Sequence, residues 1–213
     1  MMQLPSCQER KQLGFGGAGD LELVVCAAVP SDHPDRLRWN TRYEAAGQSG
    51  FERHPLVDEA VAEGIPDGPV LELACGRSGS ALALAAAGRS VTAVDISDVA
   101  LDQLAAEARR RGLADQVQCV LADVSSYPVT PNRYAFVLAT FYWDGDAFGA
   151  GCAGVRPGGL LGWEALATAD GGEAGPYRIR HGELGDSLPA GFVVLDEYQP
   201  DERSTRLLAR RLS

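Results

Sequence analysis

The sequence has no apolar run near the roughly 18 residues needed to cross a bilayer. Its best candidate, Leu21 to Val29, is short, includes Glu22 and follows Asp20. A secretory signal needs a positive flank at that place, and this one is acidic. No C-x-x-C pair occurs among the five cysteines, at 7, 26, 75, 119 and 152. An odd count without metal spacing fits reduced thiols, so the chain reads as cytoplasmic. His33, His54 and His181 are far apart in sequence, so no metal site is expected. Positive charge is in deficit: the formal net charge is −10, and Lys11 is the only lysine. That excludes a general electrostatic grip on DNA or RNA. The short run Arg109 to Arg111 suits the last turn of a helix, where cations offset the negative dipole end.

What is present is ordinary globular material. Over 213 residues, 46% are hydrophobic and 23% charged, enough for one domain with a substantial core. Residues 1–36 read differently, with a glycine cluster at Gly14 to Gly19 and prolines at 5, 30 and 34. They are expected to form a poorly ordered extension, with the folded domain covering residues 37–213. The cluster nominally matches G-x-G-x-x-G, but no apolar strand precedes it, as a dinucleotide fingerprint requires.

From Leu37 the elements follow one another clearly. Arg38 to Glu44 predicts a helix with aromatics on one side, and Val57 to Glu63 a second one stopped by Gly64 and Pro66. Val70 to Cys75 reads as a buried strand, and Ser80 to Ala87 as a helix ending at Gly88. Val91 to Val94 is a strand leading to Asp95. Ser97 caps a helix from Asp98 to Arg111, with Leu101, Leu104, Ala105 and Ala108 on one face. Val117 to Leu121 leads to Asp123, and Tyr134 to Thr140 is a further strand. A weak, glycine-interrupted helix spans Asp144 to Val155, and Leu160 to Leu166 is the fifth strand. Glu183 to Leu188 is a short helix; Phe192 to Tyr198 and Ser204 to Leu212 form a final hairpin. This alternation predicts an α/β, Rossmann-like doubly wound sheet, seven-stranded and mostly parallel, with a C-terminal antiparallel hairpin.

In such a sheet, ligands bind beyond the carboxyl ends of the strands. Gly76 lets backbone approach a ligand where a side chain would intrude. Asp95, one strand–turn–helix–strand unit after Glu72, can accept hydrogen bonds from both hydroxyls of a ribose. Asp123 can accept from an adenine amino group. Glu72 is the unusual residue, because a carboxylate inside a buried strand is costly without partners. Backbone amides of the glycine turn and a ligand ammonium would satisfy it.

The run from Val70 to Ser97, V-L-E-L-A-C-G-R-S-G through V-T-A-V-D-I-S, resembles the first two motifs of class I S-adenosylmethionine-dependent methyltransferases. It is most similar to the small tellurite-resistance and thiopurine-type enzymes. Trp39-Asn40-Thr41-Arg42-Tyr43 resembles their W-D-x-R-Y element, Arg156 to Gly159 their K/R-P-G-G turn, and Gly182-Glu183-Leu184 their late G-E-L helix. The resemblance implies that Glu72, Ala74 and Gly76 surround the methionine part of S-adenosylmethionine. It implies that Asp95 holds the ribose with Ile96 against the adenine, that Asp123 and Val124 frame the adenine edge, and that Thr140 lies near the sulfonium. Arg42 and Tyr43 would cover the methionine carboxylate as a lid. Three departures accompany it. Ser78 stands at the third motif glycine, Ala135 where the fourth strand usually carries Asp, and four glycines interrupt the following helix.

Methyl transfer from a sulfonium chiefly needs alignment of the acceptor and exclusion of water. The acceptor-pocket candidates are Tyr43, Tyr142, Trp143 and Asp144. Core packing competes for Tyr142 and Trp143, and a helix N-cap for Asp144. No catalytic residue can be named. Short insertions favour a small-molecule acceptor over a macromolecule; no membrane or nucleic-acid partner is expected, and the oligomeric state is not legible. Two other functions compete. One is a nicotinamide-dependent oxidoreductase, against which stand Glu72 and the lack of a Tyr-x-x-x-Lys pair. The other is a non-catalytic S-adenosylmethionine-binding protein.

Overall fold

A computed structural model describes residues 10–12, 22–25, 29–46, 50–168, 175 and 177–213. Two short strands come first, β1 (Arg10–Gln12) and β2 (Glu22–Val25), then helices α1 (Pro34–Ala45) and α2 (Pro55–Glu63). Strand and helix then alternate through β3 (Val70–Leu73), α3 (Gly79–Ala86), β4 (Val91–Asp95), α4 (Asp98–Arg110) and β5 (Val117–Leu121). A 3-10 turn, η1 (Val124–Ser126), leads to β6 (Tyr134–Ala139), α5 (Gly145–Gly154) and β7 (Val155–Ala167). The chain ends with β8 (Arg178–Ile179), α6 (Glu183–Asp186), β9 (Phe192–Asp201) and β10 (Ser204–Arg211).

The strands form one sheet in the order β1-β2-β5-β4-β3-β6-β7-β10-β9, with β8 against β7. From β5 to β7 all pairings are parallel, whereas β10 is antiparallel to both β7 and β9. The seven strands expected from the sequence are therefore present, from β5 to β9. Chain order reverses beside β3, which lies between β4 and β6, so the ligand crevice is predicted at its carboxyl end.

Each central element follows from its residues. All four side chains of β3 are buried, as suits a strand covered on both faces. Ser97 caps α4 by accepting from the Ala100 amide (3.1 Å), and Leu101, Leu104, Ala105 and Ala108 are buried as expected. Gly112 then stops the chain at φ 72°, a left-handed conformation glycine adopts freely. One apolar core lies beneath α2, α3 and α4; the other gathers Phe148, Trp163, Val137 and Leu161 under α5.

The glycine-rich α5 forms despite its poor intrinsic propensity. Asp144 is its N-cap, accepting from the Ala147 amide at 2.8 Å. Two of its glycines are required by packing. A Cβ on Gly154 would overlap Val129, and one on Gly151 would press on the Trp163 ring.

The N-terminal region differs from expectation where it is described. Arg10–Gln12 and Glu22–Val25 are strands, β2 running parallel to β5 and β1 antiparallel to β2. Val29 is buried, and α1 begins at Pro34 with His33 as its cap, ahead of the boundary at 37. Proline suits a first helical position because its missing N–H has no partner there. The Gly14 to Gly19 cluster lies outside the described residues. Among the described residues, no helix is long and apolar enough to cross a membrane, and no group of side chains is placed to hold a metal ion.

Candidate cofactor and acceptor site

Glu72 is only 2% exposed, within β3. The Ser78 hydroxyl lies 2.8 Å and 2.6 Å from its two carboxylate oxygens. The same hydroxyl accepts from the Ala81 amide at 2.8 Å and so caps α3. Serine at the expected glycine position thus has a double duty. Burial pushes Glu72 up to about 8, with the charge of Asp95 adding to the effect; the Ser78 hydroxyl and the Ala81 amide favour the ionised form but do not outweigh it. The result is a buried acid with acceptor capacity to spare.

The turn after β3 carries Ala74 and Gly76 at φ 49° and 52°. Cys75 between them is buried, and its amide continues the ladder to the Val94 carbonyl (3.0 Å). The Gly76 amide donates to Asp95 Oδ2 at 2.7 Å, and the Ser97 amide to Oδ1 at 2.8 Å. Burial raises the Asp95 carboxyl above its ordinary value, while these amides and that of Ile96 pull it back. A carboxylate offers about four acceptor positions, so with three amides on it about one remains for a ligand. The Ala122 amide donates to the Asp95 carbonyl (3.0 Å), which sets Asp123 beside the end of β4. Glu72, Asp95 and Asp123 therefore stand at or near the carboxyl ends of three adjacent strands. Asp123 Oδ1 accepts from the Ser125 amide (3.1 Å) and hydroxyl (2.9 Å), starting η1, in which Val124 is buried; Ile96 is half-buried.

Helix α1 lies over this turn. The Tyr43 hydroxyl occupies the space that a Cβ on Gly76 would fill. Burial, and then Asp95, raise the Tyr43 phenol well above its ordinary value. The Arg77 guanidinium stacks over its ring at 5.6 Å. Arg42, in contrast, is exposed and packs over Trp39 at 5.2 Å.

What anchors α1 was not foreseen. Arg36 pairs with Asp98 through Nε (3.0 Å) and a terminal nitrogen (2.7 Å), and Asn40 donates to the same carboxylate at 2.7 Å. Ser97 donates its hydroxyl to Asn40 Oδ1, also at 2.7 Å. These pairings hold Asp98 below its usual range, the Arg36 hydrogen bonds outweighing burial. The available signal was the spacing of Arg36, Asn40 and Tyr43, which share one helical face.

The acceptor-pocket candidates separate. Thr140 is half-buried at the end of β6, and Phe141 beyond it is exposed at φ 54°. Tyr142 and Trp143 pack against the second core, 6.5 Å from the Trp163 ring and 5.5 Å from the Phe148 ring respectively. The Tyr142 phenol is raised by burial, with the charges of Asp144, Asp123, Asp35 and Asp95 adding to the effect. Asp144 is engaged as the α5 cap.

The backbone of Phe51 and Glu52 lies directly against Gly79, the first residue of α3; a Cβ there would overlap the Glu52 carbonyl. Rigid backbone cannot yield as a side chain can, so Gly79→Ala is expected to lower stability by about 3 kcal/mol. At this chain length that is a fall of roughly 6–12 °C in melting temperature. An unchanged calorimetric melt would show that the two segments are not in contact.

Residues 70–159 match the family described as a methyltransferase domain. No curated protein matches the chain. Among solved structures, TehB from Haemophilus influenzae covers 81% of this chain and 67% of its own, at 17% identity and a TM-score of 0.66. Geranyl diphosphate C-methyltransferase from Streptomyces coelicolor A3(2), solved with geranyl diphosphate and S-adenosyl-L-homocysteine, covers 88% of this chain and 100% of its own, at 13% identity and a TM-score of 0.68. The cyclase SpnF covers 84% and 94%, at 21% identity and a TM-score of 0.65. At these identities the likeness concerns the fold. The family match runs through the segments bearing all three carboxylates, and the solved structures share the fold that positions them.

Proposed function

We propose that the chain transfers the sulfonium methyl group of S-adenosylmethionine to a small-molecule acceptor, with the cofactor lying across the ends of β3, β4 and β5. The observation that carries this reading is a buried Glu72 with spare acceptor capacity, on the strand next to a buried Asp95 that is held in place by backbone amides and keeps acceptor capacity of its own. The residues fit the cofactor. Glu72 accepts from the methionine ammonium, and the backbone of Ala74 and Gly76 lines the methionine chain. Asp95 takes the ribose hydroxyls, and Ile96 packs on the adenine, whose edge meets Asp123 and Val124. Thr140 lies toward the sulfonium, and Tyr43 closes over Gly76. Arg77, stacked on Tyr43, takes the cation's part facing the methionine carboxylate, with Arg42 outside on Trp39.

The bound cofactor supplies an electrophilic methyl group on a good leaving group. The chain's own work is orientation and exclusion of water. Tyr43 and Tyr142 are the acceptor-side groups; Trp143 supports them from the core. Asp144 is spoken for by the Ala147 amide and is not assigned as a base. A net charge of −10 favours a small molecule over nucleic acid, and geranyl diphosphate methylation by a neighbour of the same fold agrees with that choice. The buried free thiols Cys75, Cys119 and Cys152 favour a reducing, cytoplasmic setting.

The test is a thermal-shift comparison of S-adenosylmethionine with NADH, followed by assay of S-adenosylhomocysteine release across thiols, metalloid oxyanions and small amines. Stabilisation by S-adenosylmethionine with turnover of one acceptor is the expected result. Stabilisation by NADH alone would reverse the assignment. Binding without turnover would favour the second reading, a binding protein without methyl transfer, which the cyclase on the same fold motivates.

A further inference from the structure

Glu164 on β7 is fully buried and takes no part in the roles assigned above. It contacts His54 Nε2, and its Oε2 lies 3.3 Å from Arg206 Nε. These are ion-pair contacts: among the described residues, neither nitrogen and neither Glu164 oxygen has a hydrogen-bond partner of good geometry, so each relies on the other's proximity. Burial alone would raise the Glu164 carboxyl; His54, Ser204 and Arg206 outweigh it and hold it below its usual range. Arg206 donates in turn to the Tyr198 hydroxyl (3.2 Å), which donates to Glu59 (2.5 Å). One carboxylate thus joins α2, β7, β9 and β10.

His54 faces two ways. Its Nδ1 accepts from the Leu56 amide (3.3 Å) and caps α2, which makes the Nε2 that meets Glu164 the donor nitrogen. Its backbone amide donates to the Ser80 hydroxyl at 3.0 Å, in the first turn of α3. Just before it, Phe51 and Glu52 abut Gly79 without room for a Cβ. The residue preceding Gly79 is Ser78, which holds Glu72. A continuous path therefore runs from β7, beyond the switch point, to the carboxylate assigned to the methionine ammonium.

We infer that the Glu164–His54 contact is a positioning device: it presses Phe51–His54 onto the first turn of α3 and so shapes the methionine end of the cofactor cleft. The inference rests on the cofactor assignment made above. Neither residue touches the cofactor; both act through Ser80, Gly79 and Ser78. Loss of the contact should therefore affect the methionine half of the ligand and leave the adenosine half, held by Asp95 and Asp123, undisturbed.

Calorimetric titration with S-adenosylmethionine and with 5′-methylthioadenosine, which lacks the aminocarboxypropyl chain, separates the two halves. The variants are Glu164→Gln, which removes the charge, and His54→Asn, which keeps a helix-capping side chain but is too short to span the contact. Each should weaken S-adenosylmethionine binding roughly tenfold, within the range of coupling through packed networks. Methylthioadenosine affinity should not change, and the double variant should be no worse than either single one. Glu164→Gln leaves Arg206 without its carboxylate; should it fail to fold, His54→Asn carries the test. Unchanged S-adenosylmethionine affinity in a folded variant, or an equal loss for both ligands, overturns the inference while leaving the cofactor assignment standing. A wild-type chain that binds neither ligand overturns both.

Discussion

Asp95→Ala is expected to weaken S-adenosylmethionine binding by at least about a hundredfold. Hydrogen bonds to a charged group contribute about 1.5–3 kcal/mol each, and two ribose hydroxyls are at stake. The substitution also strips the Gly76 and Ser97 amides of their acceptor. Two buried donors left unsatisfied cost about 1–3 kcal/mol each, so the domain should remain folded at ambient temperature but melt earlier. Asp95→Asn discriminates the two effects. It retains one acceptor oxygen for the backbone and loses the charge that strengthens the ribose contacts. Stability should recover in Asn more than affinity does. Calorimetric affinity within a few-fold of wild type in the Ala variant would remove Asp95 from the cofactor site.

The second large effect is in pH dependence. Glu72 is raised from 4.5 to about 8 in the free protein, chiefly by burial. Its folded value exceeds its unfolded one, so its protonated form contributes stability that is complete below pH 4.5. That contribution is lost as pH rises toward about 8. Binding of the cofactor ammonium demands the carboxylate, so binding below about pH 8 must release a proton. Affinity should therefore rise about tenfold per pH unit from pH 6 to its maximum near 8, where the ligand's own amino group begins to deprotonate. Calorimetry near pH 6.5 in buffers of differing ionisation enthalpy should register release of close to one proton. Glu72→Gln should abolish the release, flatten the affinity profile and flatten the fall in stability between pH 5 and 8. A proton count near zero in the wild type would mean that Glu72 does not meet the ammonium.

Sequence reasoning was sound where a single segment contains its own determinants. Val70 to Cys75 reads as a buried strand because it is short and mostly apolar between Pro69 and the Gly76 turn, and β3 (Val70–Leu73) is that strand, ending two residues earlier. Ser97 and Gly112 bracket α4 as written. Glu72 stood out because a lone acid in such a strand needs a reason. The reason for Ser78, in contrast, appears only when the strand and the helix are side by side: it caps α3 and meets Glu72 in one gesture. Two of the glycines that weaken α5 in sequence terms, Gly151 and Gly154, are required by Trp163 and Val129, which approach from elsewhere in the chain.

What escaped were contacts between distant segments and elements too short to carry a period. The Arg36–Asn40–Asp98 anchor spans about sixty residues of sequence, and His54–Glu164 spans more; neither leaves a local pattern. β1 and β2 are three and four residues long and exist by pairing, β2 with β5 and β1 with β2, not by any alternation of their own. Arg42 was placed by its neighbours in W-N-T-R-Y, yet one residue along a helix turns a side chain by about 100°. Tyr43 consequently faces Gly76 and Arg42 faces out.

The cysteine in the middle of the turn after β3 has a chemical implication. Burial, with Asp95 and Glu72 close by, raises the Cys75 thiol well above its ordinary value. A thiol is a strong methyl acceptor only as its anion. Burial first, and the two acids after it, therefore keep this sulfur a poor nucleophile beside the cleft proposed for an alkylating cofactor.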